Sequence, residues 1–436
     1  MSWGRRTRAA VLGALVLVTG GTVRAADAIR VEDDVHLGVA SCATSMCHGK
    51  LSAQENENVW LNEYRIWSTR DRHAQAYRTL MSDESKRIAE KLGLRSAHTA
   101  KICLDCHADN VPEDKRGPKF QITDGVGCEA CHGGSEQWIE SHAESDASHQ
   151  DNLAKGMYPT EDPLSRAGIC LSCHLGTKNQ FATHRIMGAG HPRLAFELEA
   201  FTANQPAHYE VDDDYVARKG EISSFELWLT GQLESAERYL ELVGSELLEG
   251  DAGMYPELAF YDCHSCHHPM EDQRWTRRQA GPGVEPGSLR LQDQHLRVLS
   301  VVAGVLDSAA ADKLRQATRE MVLAGQQSPE RLRAAADAAV AVVRDRQQAW
   351  AERDFSDSDA AAVRRALLSA AADGRLADFY DAEQVFLAVE SLSLYLDDAD
   401  DHQQALDALF LAVEDDASYD PEAFLRAASR ALNGFG

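Results

Sequence analysis

Ten cysteines fall into five pairs, and a histidine directly follows the second member of every pair. Four pairs have the spacing CxxCH: Cys103, Cys106 and His107; Cys128, Cys131 and His132; Cys170, Cys173 and His174; Cys263, Cys266 and His267. The other is longer, with Cys42, Cys47 and His48, and no cysteine is left over. Two thiols a short turn apart reach the two vinyl groups of one porphyrin, and the next imidazole then falls under its iron; this is the chemistry of covalent haem attachment. Paired thiolates at this spacing also suit tetrahedral zinc, but a zinc ribbon has no need of a histidine after each pair. Haem is therefore the reading for the four short motifs. The Cys42 and Cys47 spacing suits a haem as well, although a simple disulfide could use it too. The full set predicts five c-type haems.

Attachment of this kind takes place after export, and the N-terminus has the matching pattern. Arg5, Arg6 and Arg8 precede the apolar run Val11 to Val18, and Ala25 and Ala26 resemble a cleavage site. Residues 1–26 are read as a signal peptide, which implies a periplasmic or otherwise exported protein. The run is interrupted by glycines and short for a membrane span. No later run is long enough either, so no transmembrane segment is expected after cleavage. A net charge of −25 argues against nucleic acid or anionic lipid as partner. Redox proteins with basic docking surfaces are the natural expectation.

The elements that position these residues change character once along the chain. Residues 27–280 hold every cysteine and fifteen of the seventeen histidines, in short glycine-punctuated segments. This region is read as a pentahaem domain with little regular structure, organised around stacked haems that supply much of its apolar core. One longer helix is expected inside it, with Ser223 and Glu226 as a capping box and Leu229, Leu233, Leu240 and Val243 on one face. Residues 281–288, which include GPGVEPG, read as a linker. Residues 289–436 are Ala-rich with helical periodicity, as in Val385, Val389, Leu392 and Leu396 or Leu406, Leu409, Phe410 and Val413. Ser328 before Pro329, Asp381 and Asp420 before Pro421 are the expected N-caps. The fold class is therefore mainly α, a multihaem cytochrome domain plus a C-terminal helical bundle.

Four segments resemble a known family: WSTRDRHAQAY (Trp67 to Tyr77), DGVGCEACHGG (Asp124 to Gly134), CLSCHLGTKNQFATHRIMGAGHPRLAFEL (Cys170 to Leu198) and YDCHSCHHPM (Tyr261 to Met270). They are similar to multihaem cytochromes c related to cytochrome c-554, a tetrahaem electron carrier, over most of residues 36–275. The resemblance implies electron transfer through closely packed haems, most with two histidine ligands. A fifth motif and the C-terminal extension depart from the tetrahaem pattern.

Five further histidines are needed if each iron takes two imidazoles. His73, His142, His184 and His191 are the first choices, with His98, just before the Cys103 motif, as the fifth. His268 and His295 are secondary candidates, His264 is expected to face solvent, and the remaining histidines are read as surface residues. Arg185 and Arg193 flank the ligand loop, where they are candidates to pair with propionates. Bis-histidine ligation predicts low potentials, because an axial methionine would raise them. Two functions fit: an electron carrier, which is favoured, or an oxidoreductase acting on small nitrogen or sulfur species at a five-coordinate haem. Assembly into an oligomer or haem filament is a further expectation drawn from multihaem cytochromes in general.

Overall fold

A computed structural model describes residues 34–53, 59–221, 223–249, 256–267 and 289–435. The expected signal peptide, the 281–288 linker and His268 lie outside the described residues. Among the described residues the chain is helices and turns with isolated bridges and no strand, so the fold is mainly α. No described helix is long and apolar enough to cross a membrane.

The cysteine-rich part is built of short helices: α1 (Glu63–Arg70), α2 (Lys101–His107), α3 (Cys128–His132), α4 (Pro163–His174), α5 (His184–Ala189) and α6 (Leu198–Asn204). Their apolar clusters are small, such as Tyr77, Leu80, Ala89, Ala97, Leu104 and Ala108. A polypeptide core of this size contributes little burial energy.

The main core lies elsewhere. It joins α7 (Ser224–Val243) to α8 (Gln294–Leu306), α9 (Ser308–Gly325), α10 (Pro329–Ala351), α11 (Asp357–Ala372), α12 (Phe379–Tyr395), α13 (Gln403–Val413) and α14 (Pro421–Gly434). Helix α7 has the expected capping box between Ser223 and Glu226. It is buried on nearly all sides rather than one, because α4 and α6 pack on it from the haem-motif region and α10, α12 and α8 from the C-terminal region. Gly231 makes the α6 contact possible: a Cβ there would lie 2.5 Å from the Cβ of Leu198. The helical core thus begins at residue 225 and not at 289.

Ser328 and Asp420 cap α10 and α14, each with a proline in the first turn. Asp381 is a correction. Helix α12 starts three residues earlier, with Asp378 at its N-cap position, and Asp381 is buried beside Arg290 and Arg297. Those guanidiniums offset a charge that would otherwise be costly to bury.

Candidate haem-binding sites

Three attachment motifs form the ends of α2, α3 and α4, and in each the motif histidine is the last helical residue. Positions i, i+3 and i+4 share one helix face, so both sulfurs and the imidazole of a CxxCH turn point the same way. The other two motifs use tighter turns. Cys42 to His48 closes through the His48 amide on the Cys42 carbonyl at 3.1 Å, and Cys263–Ser265 is a 3-10 turn.

Each motif histidine has a second histidine ring opposite it. The ring centres are 6.1 Å apart for His48 and His142, 6.3 Å for His174 and His73, and 6.3 Å for His107 and His191. They are 6.2 Å apart for His132 and His208, and 6.4 Å for His267 and His184. A metal–imidazole bond of about 2 Å on each side, plus roughly 1 Å from nitrogen to ring centre, sets two axial imidazoles about 6 Å apart across one iron. The residues present therefore fit the group that the motifs imply.

In five of the ten rings the nitrogen not needed by a metal has a partner. Nδ1 of His48 meets Oε2 of Glu63 at 2.8 Å, and Nδ1 of His73 meets Oδ1 of Asp71 at 2.9 Å. Backbone carbonyls take the same place for His107 (Ala76, 3.2 Å), His142 (Ile139, 2.6 Å) and His191 (Pro192, 2.7 Å). Such outer partners fix the tautomer and aim Nε2 at the metal. Burial also holds several rings neutral, the form that ligates. It takes His132 down to about 3 and His174 to about 4, and it lowers His107, His142 and His208. His48 and His73 move the other way because of the hydrogen bonds to Glu63 and Asp71. Burial would raise Asp71, but the hydrogen bonds from His73 and Gln205 prevail and bring it down to about 2.

The first four turns are neighbours through their sulfurs. The Cys42 thiol touches that of Cys128, and Cys106 touches Cys173. Gln180 Nε2 lies 3.4 Å from the Cys173 sulfur and 3.9 Å from that of Cys106. Cys131 lies within electrostatic range of Cys170 and Cys173. Glu129 fixes the first contact: its buried carboxylate accepts the amides of Leu37 (2.7 Å), Gly38 (2.6 Å) and Ser135 (2.9 Å) and the Ser135 hydroxyl. The segment leading into Cys42 is thereby tied to the turn that carries Cys128.

Several sequence expectations change. His98 sits on a 3-10 turn edge-on to Tyr77, and among the described residues no motif histidine faces it. The ring opposite His132 belongs to His208 instead, which follows α6 on the stretch after Pro206. No motif marks His208; only its place in the cysteine-rich half, close to Tyr209, could have drawn attention to it. His264 is buried rather than solvent-facing, stacked on Phe379 at 5.1 Å. His295 is buried with Nδ1 2.9 Å from Gln232 Oε1, away from the motifs. Arg193 is engaged by Glu383 and Asp416, and Arg185 donates to the Leu92 carbonyl at 3.1 Å.

Residues 41–133 match the family model described as cytochrome c554 and c-prime, a stretch that contains the first three attachment motifs. No curated protein and no solved structure matches the chain. The motifs at Cys170 and Cys263 and all of the C-terminal helices lie beyond the matched stretch. Over residues 41–133 the chain is therefore similar to the family of cytochrome c554 and c-prime, and that family implies covalently bound c-type haem.

Proposed function

We propose that this chain is an exported pentahaem cytochrome that passes electrons between redox partners through bis-histidine haems. The observation that carries the reading is the set of five opposed imidazole pairs at 6.1–6.4 Å. Cys42/Cys47, Cys103/Cys106, Cys128/Cys131, Cys170/Cys173 and Cys263/Cys266 hold the macrocycles. His48, His107, His132, His174 and His267 would each ligate an iron together with the ring that faces it, His142, His191, His208, His73 and His184 respectively. Bound haem supplies one-electron exchange at low potential, since each iron has two imidazoles and no methionine.

The polypeptide supplies order and proximity. The sulfur contacts support an order in which the first site lies beside the third, the third beside the fourth and the fourth beside the second. His184 and His191, at the two ends of the α5 segment, then link the fifth site to the second. The acidic surface suits basic docking partners on the route in or out.

Intact-mass and pyridine haemochrome measurements on the exported protein test this reading. Five haems per chain are expected, and replacing Cys42 and Cys47 by alanine should remove one. The ferric protein should be low-spin and unchanged by nitrite, hydroxylamine or cyanide. A haem count below five, or a high-spin fraction that responds to those molecules, overturns the reading.

A further inference from the structure

The fifth attachment turn is built into the C-terminal helices in a way the other four are not. Tyr261 bridges to Leu291, the Asp262 amide donates to the Arg290 carbonyl at 2.7 Å, and the Gln292 amide donates to the Phe260 carbonyl at 3.0 Å. The Gln292 side chain donates to the carbonyls of Ala259 and Tyr261, each at 3.1 Å. Between the two cysteines, His264 lies face to face with Phe379 at an angle of 8°. The next residue of α12, Tyr380, donates its hydroxyl to the Cys263 sulfur at 3.0 Å.

The ligand loop is fastened to the same helix. Arg193, two residues after His191, lies over the rings of Phe379 (4.8 Å) and Tyr380 (5.4 Å). Its guanidinium also reaches Glu383 on α12 at 3.0 Å and Asp416 at 3.2 Å. Both the attachment turn and the loop bearing His184 are therefore held by the first turns of α12.

We propose that α12 is the wall of the fifth haem site, and that Tyr380 is a positioning residue whose hydroxyl holds the Cys263 sulfur and sets this haem's potential apart from the others. This rests on the five-haem reading. A thioether sulfur keeps a lone pair, so it still accepts from the phenol after attachment. A hydrogen bond donated to the edge of the macrocycle draws electron density from it and favours the reduced state, as outer hydrogen bonds do at other redox centres. The C-terminal region, which has no attachment motif of its own, thereby takes part in electron transfer.

Tyr380→Phe in the full-length holoprotein keeps the ring that packs under Arg193 and removes only the donor. Intact mass should still show five haems. In a potentiometric titration followed by electron paramagnetic resonance, one centre should lose about threefold in its reduced-to-oxidised ratio at fixed potential, about 28 mV at 59 mV per decade. The other four should hold their midpoints. Tyr380→Leu, which removes the ring as well, should lower haem occupancy of the peptide containing Cys263 and Cys266. Unchanged midpoints in Tyr380→Phe, or a shift spread over all five centres, overturns the proposal, as does full occupancy with unchanged midpoints in Tyr380→Leu. A wild-type protein lacking haem on that peptide would instead refute the five-haem reading, before any variant is made.

Discussion

His208 stands opposite His132 with ring centres 6.2 Å apart and ring planes at 89°. Burial keeps both neutral, His132 strongly so. His98, nearer in sequence to an attachment motif, packs against Tyr77 instead. His208→Ala should leave the haem count at five, because Cys128 and Cys131 remain, while about one fifth of the iron becomes high-spin through loss of its second imidazole. His98→Ala should leave the spectrum low-spin. The reverse outcome would return His98 to the ligand set.

The ring angles predict a spectrum. The pairs His73/His174, His107/His191 and His132/His208 have planes at 90°, 87° and 89°, whereas His48/His142 are at 12° and His184/His267 at 34°. Crossed imidazoles leave two iron d orbitals nearly equal in energy, and aligned ones separate them, so axial-ligand orientation is read directly from the ferric spectrum. Three highly anisotropic low-field signals and two rhombic ones are expected. The His48→Ala variant should lose a rhombic signal and no low-field one. Five signals of one kind would contradict the paired geometry.

The attachment residues were legible because covalent chemistry fixes their spacing within a single turn. The rings opposite the motif histidines were less so, since each comes from a distant part of the chain. His73, His184 and His191 lie in the segments that carry the family resemblance and His142 outside them, whereas His98 was favoured through nearness in sequence, which does not say what a ring faces. His264 was misread for a related reason: a turn between two cysteines has an outer side, and here Phe379 covers it. In the helical half, the Ser328 and Asp420 caps were visible because each precedes a proline. Asp381 mimicked a cap, but what holds it is ion pairing with Arg290 and Arg297 from distant sequence. The reach of the core back to Phe225 was hidden too, because a helix buried on all sides shows a weak stripe.

Glu129 joins the first and third sites through buried hydrogen bonds from Leu37, Gly38 and Ser135. Glu129→Ala would leave those donors unpaired, at a cost of about 3 kcal/mol. Urea unfolding of the holoprotein should show that loss. Hydrogen exchange should locate it first in the amides of residues 37–41. Glu129→Gln, which keeps an acceptor oxygen, should lose less. Equal stability of wild type and Glu129→Ala would show that the segment before Cys42 is held by other means.

A pH dependence of stability follows from Glu197, which sits between α6 and the C-terminal helices. Its carboxylate accepts the amides of Glu199 (3.0 Å) and Ala200 (2.7 Å), and Ser391 of α12 donates to it at 3.4 Å. Burial is the largest influence and pushes its carboxyl up to about 7, with the Glu199 charge adding to the rise and the hydrogen bonds opposing it. In the unfolded chain the same group ionises near 4.5. The protonated form is thus favoured by folding: this contribution to stability is fully present below about pH 4.5 and lost as pH rises through about 7, a change of about 3 kcal/mol. Glu197→Gln keeps an acceptor for the two amides and has no charge to bury. The stability of wild type minus that of Glu197→Gln, from denaturant midpoints at matched pH, should therefore fall across this window and level off above it. Taking the difference cancels every titration the two proteins share, haem propionates included, so parallel stability profiles would show that Glu197 is not the group that titrates.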